Sequence, residues 1–511
     1  MATLIVSPDA PSEEQLDTPL ENVAESREAP VSGKSNKTAE QFANAIVLAM
    51  LFAAPALMCI HAASVGDPDI WWHLRTGEWM LQHHAVPRVD LFSASLAGKP
   101  WQAYSWLFEL IVVKLFQRFG LVGTLGYSAG MVLAITVALR HLVKRLQSDF
   151  SIIILLTFAT CFSLGHLFTP RPWLFTILFF VLELDILMQA RRTGRLRELA
   201  WLPLIFALWS NIHIQFIDGL IVLALAVGES VVTRWGIGER TRLRAPWAAA
   251  AFAGSILATL VNPYGWHIYR VAYDLAAQAG VLDKITELQA IRFRDLGDFS
   301  LLFLALAAAA ALAWSRRFRL FETGLLLFAA VVSFRSQRDV WVMATAAAAI
   351  LASTIAGRNA SEIRLPKFAS TLAVMAAALA VLAGFRAMHT NQVMLDAKLA
   401  KIMPVRAVEV IRANGYTGPV YNDFNFGGYL IWSLRKPVSI DGRSAFYGDE
   451  AIDRSVATWN AEPDWASDPA LTSAGVVIGP VKSALIQVLR LDPRFKLVYE
   501  DKVAAVFIKR K

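Results

Sequence analysis

Long apolar runs separated by short basic ones set the character of this chain. Apolar blocks fall at about 42–65, 120–139, 150–168, 172–190, 199–214, 215–233, 246–262, 299–314, 320–334, 340–356 and 368–386. Crossing a bilayer's hydrocarbon core takes roughly 20 helical residues, so the blocks read as about eleven transmembrane helices, several of them short. Alternate connections carry Arg140/Lys144/Arg145, Arg191/Arg192/Arg195/Arg197, Arg234/Arg240/Arg242/Arg244, Arg316/Arg317/Arg319 and Arg358/Arg364/Lys367. Basic residues beside a span are retained in the cytoplasm. The N-terminus is therefore expected inside, and everything beyond the last block outside. Residues 1–40 hold eight acidic and three basic residues without apolar periodicity, and read as a disordered cytoplasmic tail. No apolar run with a small-residue cleavage site opens the chain, so the block at 42–65 reads as a retained first span.

Beyond residue 387 the pattern changes from blocks to short alternating elements. Helices are expected at Pro404–Ala413, Glu450–Trp459 and Lys482–Leu491. Strands are expected at Pro419–Tyr421, Pro437–Ile440 and Gly475–Ile478, with a closing hairpin of Lys496–Tyr499 and Val503–Ile508. The fold class is an all-α polytopic membrane protein, residues 41–387, carrying a small extracytoplasmic α/β domain, residues 388–511. Composition agrees: 56% of residues are hydrophobic and 18% charged, against about a quarter charged in soluble proteins. The net charge of +8 is spread between the apolar blocks, which excludes a nucleic-acid surface. Cys59 and Cys161 both lie in apolar segments and read as packing residues.

Polar residues collect where the spans end on the outer side. The first outer loop, residues 66–102, opens with Gly66-Asp67-Pro68-Asp69-Ile70-Trp71-Trp72-His73-Leu74-Arg75. Asp67 with Pro68 makes a helix start, and Asp69 and His73 then stand four apart on one face. Capping and local pairing account for these residues singly. Together, two carboxylates and an imidazole suit either a divalent metal such as Mg or Mn, held by Asp67, Asp69 and His73, or a general base beside an acceptor hydroxyl. Further outer boundaries add Arg75, His166, Arg171, Asn211, His213, Arg335 and Arg338, with Glu109 and Lys114 in an amphipathic stretch at 104–119. Arginines outside run against the positive-inside rule, and a guanidinium rim suits a phosphate-bearing substrate.

These features resemble the GT-C superfamily of membrane glycosyltransferases. The resemblance rests on Asp67-Pro68-Asp69, Trp72-His73 and Trp101 to Glu109. Trp209-Ser210-Asn211-Ile212-His213, Asn262-Pro263-Tyr264-Gly265, Tyr421–Tyr429 and Asp441-Gly442-Arg443 are similar to bacterial members of that group. The chain lacks the Trp-Trp-Asp-Tyr-Gly signature of the oligosaccharyltransferase branch. The resemblance implies a polyprenyl-phosphate-linked sugar as donor, a glycan or lipid acceptor, and Asp67 or Asp69 as the catalytic carboxylate. The setting it implies is the outer face of a bacterial inner membrane. Rival readings are a lipid or polysaccharide flippase, whose polar residues would also occupy mid-span positions, and a noncatalytic scaffold of the same fold.

Overall fold

A computed structural model describes residues 32–277, 285–315, 318–355 and 367–510. Residues 1–31 of the expected tail, and the basic residues Arg316, Arg317, Arg358 and Arg364, lie outside the described residues. From Asn44 onward the chain forms one compact unit.

Every expected apolar block is helical. The helices are α1 (Ser32–Ala62), α2 (Ile70–His83), α3 (Trp106–Leu146), α4 (Phe150–Ser163), α5 (Trp173–Thr193), α6 (Trp201–Ile212) and α7 (Phe216–Val232). There follow α8 (Ala245–Thr259), α9 (His267–Ala277), α10 (Leu296–Ala313), α11 (Leu320–Arg335), α12 (Val340–Thr354) and α13 (Lys367–Ala387). The first of these starts at Ser32, inside the segment expected to be a tail. Among the described residues six helices are long and apolar enough to cross a bilayer. The 12-residue α6 spans only about 18 Å at 1.5 Å per residue, short of a ~30 Å hydrocarbon core. Gly120, at φ 61°, breaks α3 into an amphipathic first part and an apolar remainder. Helix α12 is buried without interruption from Val340 to Ala352. Its alanines let α4, α10 and α11 pack against it, since small side chains permit close backbone approach in membrane helices.

At one end of the bundle, two partly buried arginines tie helices together. Arg191 binds Glu229 at 2.6 Å and Glu322 at 2.9 Å. Arg145 binds Asp185 at 2.6 Å and Glu198 at 2.9 Å. Two residues read from the sequence as topology markers are thus also interhelical ties.

The C-terminal layer continues with α14 (Gln392–Leu399), α15 (Val405–Ala413), β1 (Val420–Asn422), α16 (Phe424–Leu434), α17 (Ser444–Tyr447), α18 (Asp449–Trp459), α19 (Pro469–Thr472), β2 (Val476–Pro480), α20 (Ala484–Leu489), β3 (Phe495–Glu500) and β4 (Ala504–Lys509). The sheet order is β1-β2-β4-β3, with β1 parallel to β2 and the other pairs antiparallel. Side chains alternate between two cores, as a period of two requires. Val420, Val476, Ile478 and Val506 join the core shared with the helical bundle. Tyr421, Val477, Ala505 and Phe507 pack with Trp459, Leu471 and Leu485 on the other face.

The strand expected at Pro437–Ile440 is absent. Val438 makes only isolated bridges to Ser93 and Val420. Pro437 has no N–H to give, and the turn at Asp441-Gly442 ends the segment before a ladder can form. The stretch after Asp423 is helix α16: the Asp423 carboxylate accepts from Asn425 N–H at 2.9 Å and caps it.

Candidate active site

Helix α2 begins two residues later than the sequence suggests. Asp69, with Asp67 behind it, occupies the N-cap position, and Asp67 Oδ1 accepts from the Asp69 N–H at 2.9 Å. This small turn brings both carboxylates to one side. There they meet Arg171, whose backbone is held between Pro170 and Pro172 at the entry to α5. Arg171 Nε donates to Asp67 Oδ2 at 2.5 Å, and Nη1 donates to Asp69 Oδ2. Its other terminal nitrogen stands 3.8 Å from Glu287. Asp67 and Asp69 are therefore bridged by one guanidinium, and Arg171 is not an open member of an arginine rim.

The bridge sits in the wall of a cavity of about 1760 Å³ between the helices and the C-terminal layer. Asp67, Asp69, His73, Tyr104, Glu109, Arg171, His213 and Arg338 all line it. His73 does not pair with Asp69, as helical spacing suggested. Its Nδ1 lies 3.0 Å from Glu109 Oε1, and Glu109 is wholly buried. Burial first, and then the charges of Arg171 and His213, keep the His73 imidazole well below its usual range, so it is neutral at pH 7. His213 turns Nδ1 to Thr176 Oγ1 at 2.9 Å. Arg338 faces the cavity with Asp339 3.7 Å from its Nε.

Three other expected members stand apart. Asn211 accepts from Trp106 Nε1 at 2.8 Å and donates to Val261 O at 2.7 Å, fastening α3, α6 and the end of α8. Arg75 pairs with Glu78 at 2.6 Å, and Glu78 also binds Arg435 of the C-terminal layer. Arg335 is exposed and does not line the cavity.

The C-terminal layer completes the site in a way the sequence did not disclose. A Cβ on Gly442 would fall on Asp69 Oδ1, and one on Gly428 would fall on the Pro68 carbonyl. Two glycines thus let backbone press directly on the Asp67–Asp69 turn. The neighbouring Asp441-Gly442-Arg443 is more than a turn. Arg443 donates to Asp441 at 2.7 and 2.8 Å and, across the chain, to Asp90 of the segment between α2 and α3 at 2.6 Å. The rings of Phe92, Trp101, Phe446 and Tyr447 surround its guanidinium. Despite complete burial, the Arg443 pairing holds the Asp441 carboxyl below the ordinary range.

Asp67 and Asp69 differ in what remains to them. Both oxygens of Asp67 accept hydrogen bonds. Asp69 Oδ1 lies against Gly442 and accepts none among the described residues. Burial pushes the Asp69 carboxyl up to about 7 against the pull of Arg171, with the Asp67 charge adding to the rise. The metal expected on Asp67, Asp69 and His73 does not fit this arrangement. One guanidinium already neutralises the carboxylates, His73 is turned to Glu109, and no group of three or more potential ligands clusters among the described residues.

No protein-family model matches the chain, and no curated protein matches it in sequence. Among solved structures it is similar to the Archaeoglobus fulgidus oligosaccharyltransferase in the apo form, with 12% identity over 88% of this chain and 70% of that one, at a TM-score of 0.48. The same enzyme tethered to an acceptor peptide with the NVT sequon matches at 12% identity over 94% and 74%, again at 0.48. ArnT from Cupriavidus metallidurans bound to undecaprenyl phosphate matches at 14% identity over 90% and 97%, at 0.47. The likeness concerns the course of the chain alone. The functional reading below rests on this chain's own residues.

Proposed function

We propose that this chain is a membrane glycosyltransferase moving a sugar from a polyprenyl-phosphate-type donor to a glycan or lipid acceptor at the outer face of a bacterial inner membrane. The observation that carries the reading is a buried carboxylate, Asp69, in the wall of a large cavity between apolar helices and the C-terminal layer. The acceptor oxygen bonds to the sugar's anomeric carbon while the bond from that carbon to the phosphate oxygen breaks. The electron pair leaves with the phosphate, and the acceptor's proton passes to Asp69 Oδ1. A carboxyl held near 7 suits that task, because it is partly ionised at neutral pH and accepts a proton readily. Asp67 stays on Arg171 and fixes the position of its neighbour. Arg338, whose nearest carboxylate among the described residues lies at 3.7 Å, is placed to meet the developing phosphate charge.

The Arg171 bridge also suits a second reading, a scaffold in which the pair only ties α2 to α5. Exchange at Asp69 separates the two. In membranes carrying lipid-linked sugar, Asp69→Asn should abolish turnover of that lipid while the folded protein persists. Wild-type turnover in Asp69→Asn would remove the catalytic reading and leave the scaffold.

A further inference from the structure

His73 and His213 both line the cavity, and in each ring the partner of one nitrogen decides what the other offers. Each is held at Nδ1 by a buried group: Glu109 Oε1 at 3.0 Å from His73, and Thr176 Oγ1 at 2.9 Å from His213. The Thr176 hydroxyl is wholly buried and also meets Trp209 Nε1 at 2.9 Å. An indole nitrogen only donates, so Thr176 accepts from Trp209 and its single hydrogen is left for His213. His213 Nδ1 is therefore the acceptor, and the ring's own hydrogen is on Nε2.

His73 reaches the same state by another route. Helix α2 lies so close to α3 that a Cβ on Gly77, one turn beyond His73, would meet the Glu109 carbonyl oxygen. Glu109 is wholly buried, and among the described residues its only ion-pair partner is the imidazole. A bare carboxylate so placed is costly, so the pair keeps one proton beyond carboxylate and neutral ring. On Oε2 that proton would find no acceptor among the described residues, so it lies between Oε1 and Nδ1. On either of those atoms it leaves His73 with a hydrogen on Nε2.

Neither Nε2 has a protein partner among the described residues. The cavity wall thus offers two N–H donors with no acceptor left on either ring, and Arg338 stands in the same wall. An ionised phosphate oxygen only accepts hydrogen bonds and so matches such donors, whereas a hydroxyl would have its own hydrogen unanswered by them. We propose that His73 and His213 bind the phosphate oxygens of a lipid phosphate through Nε2–H, with Glu109 and Thr176 as the positioning residues that fix the two rings. The site deepens the transferase reading and rests on it, since that reading supplies the phosphate.

Farnesyl phosphate tests this on the full chain in detergent, by nitrogen NMR with isotope-labelled histidine; His73→Phe and His213→Phe assign the two rings. Both should carry a proton on Nε2 before ligand is added. Farnesyl phosphate should shift both Nε2 signals, and farnesol, which lacks the phosphate, should not. Each Phe variant should bind farnesyl phosphate about tenfold more weakly. Thr176→Val should weaken binding several-fold and Thr176→Ser restore it, the reverse of what packing alone requires. A bare Nε2 on either ring would overturn the proposal. So would farnesyl phosphate that fails to bind or binds without moving these signals, farnesol that moves them equally, or inorganic phosphate as potent as the lipid, which would make this a site for the free ion. Responding rings without any turnover of lipid-linked sugar would keep this site and remove transfer; turnover with silent rings would do the opposite.

Discussion

Gly442→Ala adds a single methyl group where the structure leaves no space. The new Cβ would overlap Asp69 Oδ1, far inside any non-bonded contact. Gly442 does not have positive φ, so the backbone tolerates alanine and the whole effect comes from the methyl group. Two relaxations are open. The carboxylate can swing off Arg171 Nη1, losing a charge-assisted hydrogen bond worth about 1.5–3 kcal/mol. Alternatively the C-terminal layer can lift, an overpacking cost of roughly 1–3 kcal/mol. Either way about 2 kcal/mol of stability is at stake, and a displacement of ~1 Å at a reacting group costs on the order of 100-fold in rate. Thermal unfolding in detergent and turnover of lipid-linked sugar, read side by side, check both numbers. Gly126→Ala is the control: it stands in α3 with nothing within 4 Å of its Cβ, and alanine there should be neutral or slightly stabilising. Wild-type stability and turnover in Gly442→Ala would show that the layer does not bear on Asp69.

Further expectations concern pH, buried charge, the donor site and topology. Turnover should fall as pH drops through about 7, where Asp69 takes up its proton, whereas a base with an ordinary carboxyl pKa would hold its rate to near pH 4. Because that folded-state value lies above the unfolded one, the native state binds the extra proton between them, so this group's contribution to stability declines as pH rises through the window; Asp69→Asn should flatten that slope in denaturant titrations. Arg443→Ala leaves Asp90 and Asp441 buried without their partner and should cost about 3–5 kcal/mol by thermal unfolding, while Arg494→Ala, at a more exposed pair, should cost under ~1 kcal/mol. Arg338→Lys should weaken donor binding through loss of the planar fork, and exposed Arg335→Ala should leave it unchanged in the same binding assay. An alkaline phosphatase fused after the C-terminal layer should be active and a fluorescent-protein fusion dark; the reverse pattern would place the cavity on the cytoplasmic side.

The helical framework was readable because apolar runs of this length have few alternatives to helix. The β3–β4 hairpin was readable from its alternation. Asp67-Pro68-Asp69 stood out because two carboxylates at a span boundary are unusual in any chain. What escaped notice was partnership at a distance. Arg171 lies 104 residues from Asp67, and nothing local says that it bridges the pair instead of facing a phosphate. Gly427-Gly428 reads as permitting close packing, but only the structure shows that the second glycine meets Pro68. Gly442 is silent in sequence, since its role is set by a side chain on another element.

The clasp between Asp90 and Arg443 joins residues 353 positions apart. At translation rates of roughly 5–20 residues per second, Asp90 waits about 20–70 s for its counterpart to be made. For that interval Asp69 has no Gly442 beside it and the cavity has no far wall. The wall against Asp69 thus comes from residues made long after it, and a chain that stops before Gly442 lacks that wall. The arrangement makes synthesis past Arg443 a precondition for closing the cavity.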